Sequence, residues 1–160
     1  MRDGGFARRC GRALALAGVL AFPAAASEAP YKLDPHILSA FALKDVKWEG
    51  FDVKGAMQFK VFGDPEKPGP YMVLVKWPPG QMSRPHCHEH DRFITVLQGT
   101  WWVGEGPKYE PERTVAMPVG SVVTHYAQGL HYDGAKGEPA IIEIVGVGPA
   151  GALQPDKCGR

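Results

Sequence analysis

The chain is poor in several things, and each shortage removes a class of explanation. It has only 3 cysteines in 160 residues, too few for a disulfide-dense scaffold or a four-cysteine metal site. Charge of one sign is missing: 18 Lys and Arg face 17 Asp and Glu, a net of +1. So balanced a surface gives no electrostatic reason to expect a nucleic-acid partner. The longest unbroken apolar run, residues 13–22, is ten residues, about half of the ~20 that a membrane-spanning helix needs. There is no G-x-S-x-G elbow and no phosphate-binding G-x4-G-K-S/T loop. No segment repeats at the period of a solenoid or propeller.

Glycine and proline, by contrast, are abundant, at 20 and 15 residues. That density of chain breakers disfavours a helical bundle and favours short strands joined by turns.

Residues 1–26 stand apart. Arg2, Arg8, Arg9 and Arg12 form a basic flank, residues 13–22 an apolar core, and Ala24-Ala25-Ala26 a small-residue cleavage site. That order predicts a cleaved secretory signal, not an anchor, and a periplasmic or secreted protein of about 134 residues. The Arg8-Arg9 pair is the only hint of twin-arginine export; Gly11-Arg12 follows where apolar residues belong, so general secretion is the expectation. Two cysteines then remain, Cys87 and Cys158, in an oxidising compartment. They are candidates for a disulfide, with two free thiols as the alternative.

Along the mature chain, residues 27–54 read as an N-terminal arm, with 40–48 ambiguous between helix and strand. Strands are expected at 56–62, 71–77, 93–97, 100–103, 114–117, 121–126 and 140–147. Gln98-Gly99 reads as a two-residue hairpin turn. Residues 149–160 read as a loose tail. The fold class is all-β, an antiparallel sandwich or small barrel.

Five of the six histidines lie between positions 86 and 131. His86 and His88 are two residues apart, so in an extended segment they share a face. With a third imidazole, from His131 or His125, they can form a facial metal site with open positions. His90 and Asp91 read as solvated. Glu143 sits in the apolar run Ile141-Ile142-Glu143-Ile144-Val145, where a buried carboxylate would need a partner. It either orients a histidine or lies at a wet edge. Trp101 and Trp102 must face opposite ways; core packing is expected for both, with a subunit interface, and hence a homodimer, left open.

These residues resemble the cupin family. Its first motif is G-x5-H-x-H-x3-4-E-x6-G, and this chain has Gly80, His86-Cys87-His88 and Gly99 in register. Its second, G-x5-P-x-G-x2-H-x3-N, is matched by Gly120 and His131, with Tyr126-Ala127-Gln128 and Ala135 departing from it. The segments GDPEKPGPY, VKWPPG and VLQGTWWVG are similar to those of small exported cupins. The resemblance spans residues 55–148, which would be the cupin domain. It implies a double-stranded β-helix, or jelly-roll barrel, enclosing one divalent metal (Fe, Mn, Ni or Zn) on His86, His88 and His131, and a small-molecule ligand. His125, Tyr126, Glu143 and Arg92 would be candidates for the surrounding shell. Arg92 stands where the family carries a ligating Glu. Turned inward it could grip a carboxylate as a fork; the expectation is that it turns outward and pairs with Glu89 or Asp91. The resemblance leaves two functions open, a metal-dependent oxygenase or other enzyme, and a non-catalytic binding module.

Overall fold

The computed structural model describes residues 33–50 and 55–159. The expected signal peptide, and residues 27–32 and 51–54 of the arm, lie outside them. The chain divides at residue 40 into two units. In the described part of the first, 33–40, a turn is closed by the His36 N–H donating to Asp34 Oδ1 at 2.9 Å.

The second unit holds nine strands among the described residues: β1 (Glu49–Gly50), β2 (Met57–Phe62), β3 (Gly69–Trp77), β4 (Arg92–Gln98), β5 (Trp101–Glu105), β6 (Val115–Met117), β7 (Val122–His125), β8 (His131–Gly134) and β9 (Ala140–Gly148). They form a six-stranded sheet, β1-β2-β3-β9-β4-β7, and a three-stranded sheet, β6-β5-β8. The pairings are antiparallel. The ambiguous stretch 40–48 resolves into a single 3-10 turn, Leu43–Asp45.

Alternation sets the inner face. On β4, Arg92, Ile94 and Val96 are buried while Phe93 is exposed. On β9, Ile142, Ile144 and Gly146 share the inward parity. Ile94, Val96, Ile142, Val75, Tyr71 and Trp101 are each at most 2 % exposed and form one core with their neighbours. Burying a large side chain of this kind contributes about 1.5–3 kcal/mol. Gly146 makes room for the Tyr71 ring, since a Cβ there would sit 2.8 Å from the Tyr71 hydroxyl.

Three local expectations fail. Gln98-Gly99 does not turn a hairpin. Both edges of β4 are occupied, by β9 and β7, so the chain crosses at Gly99 to the other sheet. Gly99 has φ 70°, and a Cβ there would run into the Pro139 carbonyl oxygen. Strand β8 falls outside the expected strands; its pairing with β5 along Trp102–Glu105 forms it. The tail is not loose. Leu153 and Cys87 exchange backbone hydrogen bonds of 2.9 and 3.2 Å. Cys87 and Cys158 are joined as a disulfide, with Cα atoms 6.0 Å apart.

Candidate metal centre

The segment after β3 runs antiparallel to β8. His86 and His131 exchange backbone hydrogen bonds, both 2.9 Å, and Ser83 N–H donates to the Asp133 carbonyl at 2.8 Å. This register brings the His86 and His131 rings to 4.5 Å between centroids, with His88 at 4.9 Å from His86 and 5.4 Å from His131. One ring nitrogen of each lies within 4.8 Å of the others.

The hydrogen bonds define the tautomers. His86 Nδ1 meets the Arg84 carbonyl at 2.7 Å, His88 Nδ1 the Ala150 carbonyl at 3.0 Å, and His131 Nδ1 the Gly129 carbonyl at 2.9 Å. A carbonyl only accepts, so each Nδ1 must carry the proton and each Nε2 a lone pair. His88 Nε2 is buried with no partner. Carbonyl-anchored imidazoles whose Nε2 carries a lone pair are what a divalent ion requires of its ligands and of the groups behind them. Burial, reinforced by the Arg92 charge and by neighbouring imidazoles, pushes His88 down to about 2 and His131 to about 3. Both are therefore neutral near pH 7, as metal binding needs. On these grounds the three histidines fit a metal.

Arg92 does not turn to the surface. Opposite His125 on β7 and Gly146 on β9, and only 9 % exposed, it faces inward because β4 alternates with Phe93 outside. Its Nη2 donates to His125 Nδ1 at 3.2 Å and approaches His131 Nε2 at 3.4 Å. The pairing with Glu89 or Asp91 is thereby excluded. Asp91 Oδ1 instead accepts the Ala127 N–H at 2.7 Å. His125 joins the cluster, its ring 3.8 Å from that of His131 and 5.6 Å from Trp101. Burial lowers its pKa strongly. Arg92 Nη2 lies against its Nδ1 as it does against His131 Nε2; His125 is outside the His86–His88–His131 group and instead makes a second group with His131 and Asp133.

Two candidates are not brought in. Glu143 has the outward parity of β9, opposite Leu74 and Thr95 on its neighbours, and is only half-buried. Tyr126 is 64 % exposed. Sequence reasoning also missed a residue. Asp133, 5 % exposed, sits two positions after His131 on β8, and burial raises its pKa against the pull of His86, Arg92 and Ser83. Its parity with His131 was the available signal.

The cluster opens on a cavity of about 580 Å³ whose walls include Val75, Trp77, Ile94, Trp101, Ile142, Ile144 and tail residues 150–152.

No protein-family model matches the chain, and no curated protein sequence does. Solved structures do match. The chain is similar to the polyketide cyclase RemF from Streptomyces resistomycificus, with TM-score 0.60 and 18% identity over 73% of this chain and 84% of that one. It is similar to a double-stranded β-helix protein from Klebsiella pneumoniae, with TM-score 0.54 and 21% identity over 71% and 94%. A cupin-2 domain from Rhodospirillum rubrum matches at TM-score 0.57 and 14% identity over 74% and 81%. At these identities the likeness is one of fold. The chain has the double-stranded β-helix fold of these structures, with a histidine cluster inside its barrel.

Proposed function

We propose that this protein is an exported single-domain cupin that holds one divalent metal ion on His86, His88 and His131 and processes a small organic molecule in the adjoining cavity. The observation that supports the reading is the anchoring of all three Nδ1–H groups on backbone carbonyls, which leaves each Nε2 a lone pair, that of His131 with Arg92 Nη2 3.4 Å away. A bound ion would supply Lewis-acid or redox chemistry at its open positions. The chain's own residues do the rest. Apolar side chains and Arg92 line the ligand space. That RemF is a polyketide cyclase supports small-molecule chemistry in such a barrel, although fold alone does not specify a reaction. Export rests on the signal-like order of residues 1–26.

A second reading, a non-catalytic binding module, is favoured by Arg92, a cation where the related motif has an acidic ligand. Metal analysis of the purified protein, after incubation with iron, manganese, nickel or zinc, tests the shared part. About one equivalent of one ion, lost in His86→Ala, is expected; no ion retained by the wild type refutes the metal centre. Turnover or O2 consumption with a panel of small acids then separates enzyme from binding module.

A further inference from the structure

Arg92 carries a charge that the surrounding protein does not balance. The side chain is buried, and among the described residues no carboxylate lies within 4.0 Å of it. Its named contacts, His125 Nδ1 and His131 Nε2, are neutral acceptors at 3.2 and 3.4 Å. Its Nε donates to nothing. Asp133 attracts Arg92 from a distance while bonding to Ser83. A guanidinium stays protonated in proteins, and a buried cation without a counter-ion is costly. Folding alone gives no reason to keep one here.

The other buried groups point the same way. Besides His88 Nε2, the buried side-chain nitrogens without a partner are Arg92 Nε, Trp77 Nε1 and Trp101 Nε1, all N–H donors. All three residues line the one cavity. Those nitrogens are themselves enclosed; what the cavity wall offers a ligand is the Arg92 charge. The cavity's apolar wall, Val75, Ile94, Ile142 and Ile144, calls for a hydrocarbon body. Arg92 is the only buried cation on that wall and Asp133 a buried carboxylate on it, so at most a single negative charge is matched and a phosphate dianion is not.

We propose that Arg92 is an anion clamp and that the cavity's ligand is a small organic monocarboxylate, its carboxylate on the guanidinium and its apolar body against the β3, β4 and β9 side chains. This rests on the small-molecule reading of the cavity but not on the metal. Planar oxygen pairs suit the guanidinium fork better than a tetrahedral anion does.

The test is calorimetric titration of the full mature protein, metal-loaded and chelator-treated, with hexanoate, phenylacetate, their neutral amides and inorganic phosphate. In the wild type at least one acid should bind at least tenfold tighter than its amide, and tighter than phosphate. In Arg92→Gln that preference should fall by roughly ten- to hundredfold, the worth of a charge-assisted hydrogen bond. Arg92→Lys, charged but without the fork, should fall between. Equal binding of acid and amide by the wild type, binding of neither acid, or a preference for phosphate overturns the proposal without reference to any variant's folding. So does an acid preference that survives Arg92→Gln in the chelated protein. The chelated arm separates the two readings. An acid preference in protein that never binds metal leaves the clamp standing and removes the metal centre. A stoichiometric metal with no acid preference does the reverse.

Discussion

Replacing Cys158 with Ser tests the link between the tail and the metal centre. The disulfide spans 71 residues, and closing a loop of that size stabilises the fold by about 4 kcal/mol on the chain-entropy account. For a domain of this length such a loss lowers the melting temperature by roughly 10–20 °C. The effect should not stop at stability. Ala150 and Gly151, on the strap that Cys158 ties down, supply the carbonyls that hold His88 Nδ1 at 3.0 and 3.2 Å. With the bridge gone, the strap keeps the Cys87–Leu153 backbone pair, the Ala150 N–H to Pro65 carbonyl bond, 2.7 Å, and the Gly159 N–H to Gln128 Oε1 bond, 3.2 Å. A loosened strap frees the His88 ring, and losing such a support typically weakens metal affinity by about ten- to hundredfold. Scanning calorimetry and competition with a chromogenic chelator give the two numbers on one sample. An unchanged melting temperature would refute the loop-closure argument. A lowered one with unchanged metal affinity would show that the tail carbonyls do not position His88.

Other expectations follow from single contacts. Arg92→Glu, which replaces the inward cation with a ligating carboxylate, should tighten zinc binding at least tenfold, about 1.4 kcal/mol; equal affinity in a chelator competition would mean that the side chain lies beyond the ion's reach. In chelated protein, His88 and His131 refuse at about 2 and 3 the proton that the unfolded chain takes up at 6.5. Stability should therefore be complete above pH 7 and decline as pH falls toward 3, with each group accounting for about 2 kcal/mol by pH 5. Urea midpoints that stay flat between pH 7.5 and 5 would contradict this. Gly146→Ala places a Cβ 2.8 Å from the Tyr71 hydroxyl and should cost about 1–3 kcal/mol by overpacking, read as a lower urea midpoint; a wild-type midpoint would mean that β3 and β9 pack less tightly than described.

The fold class was legible because it rests on local chemistry. Glycine and proline density, the β-rich apolar runs at 71–77 and 93–97, and the histidines at 86 and 88 all survive without knowledge of partners. So does their in-register company, Gly80, Gly99, Gly120 and His131. Pairing is not local. That Gln98-Gly99 crosses between sheets, that His131-Tyr132-Asp133-Gly134 forms a strand and that residues 150–158 are strapped down depend on which edges are free and what lies opposite. The same holds inside the barrel. Spacing pairs His86 with His88 and the resemblance adds His131, but only the cross-strand register of Arg92 with His125 and Gly146 turns the guanidinium inward. Only the parity of β9 turns Glu143 away. A side chain's type is written in the chain; whether its charge is met, and by what, is settled by the walls that close around it.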